Sequence, residues 1–133
     1  MPKERLVHAL TSADQDLACL LIDRHPELIQ AQFDDLSENG RKYYLVHIAA
    51  FTNQEQVLRT LIDYGADLNV PEPTHKGWTA LHFCAQHRYS TIARLLCQHG
   101  ADVSIKDRNG KGALDFAVES EHPEIVVIIQ GKC

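Results

Sequence analysis

The stretch GWTALHFCAQHRYSTIARLLCQHGADVSIKD, residues 77–107, decides how the rest of the chain is read. Taken alone it poses a chemical question. His82 and Cys84 lie two positions apart, with His87, Cys97 and His99 close behind. Such a set would suit a metal site or a thiol catalyst if it stood alone. The flanking sequence makes it one copy of a repeated design. GKGALDFAVESEHPEIVVIIQ begins at Gly110, so Gly77, Leu81, Phe83, Leu95 and Leu96 are answered 33 positions later by Gly110, Leu114, Phe116, Ile128 and Ile129. Upstream, LVHIAAFTNQEQVLRTLIDYGADLN (45–69) places Val46, His47, Ala50, Gly65, Ala66 and Asp67 35 positions before Leu81, His82, Ala85, Gly100, Ala101 and Asp102. ACLLIDRHPELI (18–29) aligns with ARLLCQHGADVS (93–104) without a gap. Repeats of this period indicate a stacked architecture in which no unit buries its apolar face alone.

This pattern resembles the ankyrin repeat, whose consensus is near G-x-TPLH-x-AA…LL…GADVN. The third copy carries Gly77, Thr79, Leu81, His82, Ala85, Leu95, Leu96, Gly100, Ala101 and Asp102 in register. The second has Tyr44 where threonine belongs. The first has His25-Pro26 in place of Gly-Ala, and the fourth has Asp115 in place of histidine. Terminal units that face water on one side depart from consensus as caps. The resemblance implies an all-α ankyrin-repeat solenoid, helix–turn–helix units joined by β-hairpin-like loops. Residues 1–133 form one domain with units near 3–30, 41–70, 75–106 and 107–131. Val103 to Leu114 spans 11 positions, Leu68 to Leu81 13 and Leu28 to Val46 18, so an inserted loop is placed at 31–42.

Local signals agree with helix pairs. Ile92, Leu95 and Leu96 follow i, i+3, i+4, as do Leu17, Leu20 and Leu21, which is one helix face. Gly65 and Gly100 fall where a helix ends in a left-handed residue. DRNG (107–110) carries turn chemistry. EIVVII (124–129) alone resembles a buried strand. The repeat register, with Pro123 at a helix start, predicts a helix over 123–130 instead. Its outer side, if uncovered, is an apolar patch that predicts self-association or a further segment.

Composition limits the partners. The net charge of −5 argues against nucleic acid as the main partner. Residues 1–70 hold 11 acids and 6 bases, against 7 of each in 71–133. No apolar run is long enough to span a membrane, and the charged opening MPKERLVHALTSADQDLACLL predicts no secretory signal. The expectation is an intracellular, cytoplasmic protein; a nuclear site, or a host cytosol for a bacterial effector, stays open. The four cysteines show no CxxC and are expected as free thiols.

The resemblance gives His82 and His47 a structural role, hydrogen-bonding the backbone near their own turns, with His8 nearly equivalent. Zinc at His82, Cys84, His87, Cys97 and His99 is disfavoured because structural zinc takes closely paired ligands. A thiol catalyst needs an exposed thiolate beside a base, and Cys84 occupies a packed position. Asp34, Asp35 and Glu38 lack calcium-loop spacing. No phosphate-cradling loop or basic, aromatic-interleaved stripe is present. The expectation is no enzyme, no cofactor and no metal.

In ankyrin proteins partners bind the concave side, built from hairpin tips and first helices. Carried over by position, the tips here offer Tyr43, His75, Lys76, Trp78, Arg108, Asn109 and Lys111. The first helices offer Phe51, Thr52, Gln86, His87, Glu119 and Ser120. Tyr43, Phe51 and Trp78 stand out as hot-spot types. The implied function is non-catalytic protein binding, as an adaptor, inhibitor or effector. The alternative is modification: LIDYGADLN (61–69) resembles the ankyrin substrates of an asparaginyl hydroxylase, with Asn69 as target and Leu61, Asp67 and Leu68 in the flanking places.

Overall fold

A computed structural model describes residues 2–34, 41–74 and 76–132, the Lys132 side chain excepted. Among the described residues the chain forms helices α1 (Pro2–Thr11), α2 (Gln15–Arg24), α3 (Leu45–Phe51), α4 (Glu55–Asp63), α5 (Ala80–His87), α6 (Ser90–Gln98), α7 (Ala113–Glu119) and α8 (Pro123–Lys132). Strands β1 (Phe33–Asp34) and β2 (Lys42–Tyr43) pair antiparallel, Phe33 opposite Tyr43. The fold is an all-α repeat solenoid. First helices pack along one line, α3 on α5 and α5 on α7. Second helices form the other layer, α2 on α4, α4 on α6 and α6 on α8.

Each pair turns the same way. Ala13, Asn53, Arg88 and Glu121 adopt φ of 57°, 58°, 66° and 55°. The next backbone N–H reaches back to the first helix in every pair: Asp14 to Ala9, Gln54 to Ala49, Tyr89 to Cys84 and His122 to Ala117. That register aligns His8 with Ile48 rather than His47. His8 is accordingly exposed and is not the equivalent of His47.

Gly65 and Gly100 close α4 and α6 at φ of 76° and 91°, where a side chain would be strained. The first unit ends differently. Pro26 cannot follow a left-handed cap, and its fixed φ starts a 3-10 turn, Pro26–Gln30. The insertion is only partly a loop. Its two ends form the β1–β2 ribbon, and Phe33 is buried beside α1. Residues 35–40, with Asp35 and Glu38, lie outside the described residues, as do His75 and Cys133.

EIVVII is helical, with Ile125, Ile128 and Ile129 buried against α6 and α7. The outer side shows Val118 at 59% and Val127 at 67% exposure. Cys19 and Cys84 are free, whereas Cys97 is disulfide-bonded, a departure from four free thiols. No helix among the described residues is long and apolar enough to cross a membrane.

Candidate functional site

The site begins with two histidines that hold the hairpins to the helices. In α5, His82 Nδ1 accepts from the Thr79 backbone N–H (3.0 Å) and lies 2.8 Å from Thr79 Oγ1. Because Nδ1 accepts, the proton sits on Nε2, which donates to the Lys111 carbonyl in the next hairpin at 3.0 Å. His47 repeats the arrangement in α3, accepting from the Tyr44 N–H (3.1 Å) and reaching the Val70 carbonyl (2.7 Å). Burial lowers the His47 pKa to about 4, despite the opposing Val70 bond and the Glu72 charge. Burial lowers that of His82 too, against the Lys111 bond and the charges of Asp107 and Asp115. Both rings are therefore neutral braces. In α7, Asp115 performs the capping half alone, accepting from the Gly112 N–H at 2.9 Å.

The second and third hairpin tips are each built on an inward-turned acid. Glu72, 2% exposed, accepts from the Thr74 and Gly77 N–H groups. Asp107, 7% exposed, accepts from the Asn109 and Lys111 N–H groups and from Trp78 Nε1, each at 2.9 Å. Burial works to raise the Asp107 pKa. The bonds from Lys111, Trp78 and Asn109 outweigh it and hold the carboxyl below its usual range. The tips are also tied to one another. The Lys42 N–H donates to Thr74 Oγ1 (2.7 Å), and the Arg108 N–H donates to the Lys76 carbonyl (2.9 Å).

Beneath the tips runs an aromatic ladder. Tyr43 and Phe51 meet at 5.0 Å, Phe51 and Phe83 at 5.4 Å, Phe83 and Trp78 at 5.1 Å, and Trp78 and Phe116 at 4.9 Å between ring centres. The ladder relocates the three aromatics expected at the tips and first helices. Tyr43 is only 7% exposed, because β2 pairs it with Phe33 and turns its ring into the core. Phe51 and Trp78 are half-buried and serve as rungs. What remains outward are the exposed positions Thr52, Gln86, His87 and Glu119 on the first helices and Lys76, Arg108, Asn109 and Lys111 at the tips. Helix register aligns Phe51, Gln86 and Glu119 in one row and Thr52, His87 and Ser120 in the next.

Sequence reasoning had no place for Glu72, Asp107, Phe83 and Phe116 as the scaffold of this face. One signal was available: both acids stand two residues before a turn N–H that they accept. Asn69 is half-buried. Its Oδ1 accepts from the Asp102 N–H at 2.7 Å, so its amide links neighbouring units. Cys84 is buried, which raises its pKa and keeps the thiol protonated. Cys97, being disulfide-bonded, offers no thiolate. Among the described residues no group of three or more His, Cys, Asp or Glu side chains could hold a metal ion.

A family model described as ankyrin repeats (3 copies) matches residues 6–107 and again 46–132. No curated protein matches the chain.

Proposed function

The chain belongs to the ankyrin repeat family, matched between residues 6 and 132, and on that premise we propose a non-catalytic module that binds a protein partner across its first-helix ends and hairpin tips. Ankyrin repeats are generally protein-interaction modules. The observation that carries the reading is the division of labour on this face. Glu72, Asp107, His47, His82 and the rings of the aromatic ladder are consumed in holding the second and third tips. The aligned residues Thr52, Gln86, His87 and Glu119 face solvent on that rigid base. A preorganised surface loses little freedom when it binds. The alternative, modification at Asn69, falls on a half-buried residue whose Oδ1 already accepts from the Asp102 N–H.

Affinity capture with matched variants tests it. Phe51→Ala and Trp78→Ala are poor probes, because both remove ladder rungs. Thr52 is left unchanged because its hydroxyl accepts from the buried Gln54 amide; a Gln86→Arg, His87→Glu variant changes only exposed side chains, and equal helicity and melting would verify its fold. A partner retained by the parent is expected to be lost by this variant. It should be kept by an Arg59→Glu, Gln98→Arg variant of the second helices. The opposite pattern rejects the face.

A further inference from the structure

The outer side of the last helix pair departs from the repeat in a consistent direction. Val46, Ala50 and Leu58 of the second unit are buried, with α5 packed on α3 and α6 on α4. Leu81, Ala85 and Ala93 of the third unit are buried in the same way under α7 and α8. Their counterparts in the fourth unit are Leu114, Val118 and Val126. All three are apolar, yet Val118 is exposed and Leu114 and Val126 are only partly buried. Val127 extends the patch. It is exposed and stands where the other units carry Arg59 and Arg94. A unit that closes a stack against water carries a polar outer face. Here the outer face is more apolar than the units before it, which marks a contact surface.

A further unit of the same design fits that surface poorly. His47 and His82 each reach a carbonyl of the following hairpin, Val70 and Lys111. Asp115 holds that place in α7, and its carboxylate has no proton to donate, so a next hairpin would set a carbonyl against it. Alanine at positions 50 and 85 lets the next first helix come close, and Ser120 Oγ reaches the Ala85 carbonyl at 3.3 Å. The larger Val118 side chain occupies that space. Gln130 stands in the place of Ile62 and Cys97, and its amide, if buried, would need a hydrogen-bond partner. A second copy of the same face fits better. Turned about a two-fold axis parallel to the helices, α7 of one copy lies on α8 of the other, and all neighbouring helices run antiparallel. Leu114 and Val118 then cover Val126 and Val127 across the axis. Asp115 at the start of α7 comes level with Gln130 near the end of α8 in the other copy, acceptor against amide donor. Of the acids bordering the face, Glu119 is neutralised by Lys111 at 2.8 Å and Glu124 by Arg94 at 3.0 Å. Glu121 and Asp115 are the charges that two copies bring together.

We propose that this face forms a weak homodimer, the α7–α8 pair of one copy lying on the same pair of a second as an antiparallel four-helix packing. Helices about 10 and 15 Å long, set about 10 Å apart, cover on the order of 300 Å² per copy. That is well below the ~800 Å² per partner of a standard interface, so the dimer is reversible, with a dissociation constant on the order of 100 μM. The row of Thr52, Gln86 and His87 lies outside this contact, so a dimer presents two such rows at once.

The test is sedimentation equilibrium of the full chain over a range from about 10 to about 500 μM. A monomer–dimer equilibrium is expected. It should tighten severalfold from low to physiological salt, because screening relieves the repulsion between two copies of net charge −5. Val118→Lys with Val127→Lys changes two exposed side chains and should weaken the dimer about tenfold or more, with an unchanged melt of the dilute protein. Gln130→Glu sets an acid opposite Asp115 and should weaken the dimer severalfold, whereas Gln130→Lys should tighten it. Leu20→Lys removes an exposed apolar side chain from α2 in the first unit and should leave dimerisation unchanged. Monomer throughout the range, indifference to the valine pair, or equal weakening by Leu20→Lys would overturn the proposal. So would like effects of Gln130→Glu and Gln130→Lys, which would mark unspecific adhesion of the valines. Species growing beyond the dimer would overturn it too, since a two-fold contact closes on itself.

Discussion

His47 and His82 each join their own helix start to the following hairpin, and both do so neutral. The consequence is a pH dependence of stability with a definite sign. His47 has a pKa of about 4 in the folded chain and an ordinary value of 6.5 when unfolded. Unfolded chains therefore take up the proton first as pH falls. Stability is full above about pH 6.5, declines toward pH 4 and levels off below, with a ceiling near 3 kcal/mol for His47. His82 adds a contribution of the same sign. Urea melts at a series of pH values should show this loss, and His47→Gln should flatten it. A parent protein equally stable at about pH 7 and pH 5 would contradict the neutral-brace role. Trp78 gives a second residue-scale expectation. Trp78→Phe keeps the contacts with Phe83 and Phe116 but leaves Asp107 Oδ2 without its indole donor, costing about 1–3 kcal/mol. Trp78→Ala removes the rung as well and should cost roughly 3–5 kcal/mol. Equal midpoints for parent and Trp78→Ala in denaturant would show that the ring is a surface anchor after all.

At the scale of elements, helix pairs were legible because their signals are local and repeated. Gly65 and Gly100 mark helix ends, and the 33-residue register outweighs the β-branched run in EIVVII. The first unit was less legible. Pro26 substitutes a 3-10 turn for the usual glycine end, and the insertion breaks the register by which Tyr43 was placed. A ring expected at a tip lies instead in the core. The left-handed residue between paired helices was also invisible, since Ala13, Arg88 and Glu121 carry no turn signature. Ala13→Gly should raise stability by about 0.5 kcal/mol, the relief of left-handed strain exceeding the entropy glycine adds to the unfolded chain. A lowered denaturation midpoint would argue against strain there. In α8 the two faces should behave oppositely. Ile128→Ala should cost roughly 2–5 kcal/mol, while Val127→Lys should change stability by less than about 0.5 kcal/mol. Equal costs would mean that the outer face is covered.

Across the whole molecule, the stack joins each unit to its neighbours, with α5 packed between α3 and α7 and α6 between α4 and α8. Units at either end have a neighbour on one side only. Amide exchange should therefore be slower in α5 and α6 than in α1 and α8. The candidate face was legible in outline, because repeat register places Thr52, Gln86, His87, Glu119, Arg108 and Lys111 from sequence alone. It was not legible in its division between scaffold and surface. That division depends on which way Glu72, Asp107, Phe83 and Trp78 turn, and only packing among several units decides it. Partner binding at this outward row is what gives the face its function. The most direct measurement is site-specific photo-crosslinking in lysate of the source organism, with benzoylphenylalanine placed in turn at His87 on the first-helix face and at Gln98 on the second-helix layer. A discrete cross-linked protein is expected from position 87 and none from position 98. The same protein cross-linked from 98 and absent from 87 would contradict that expectation.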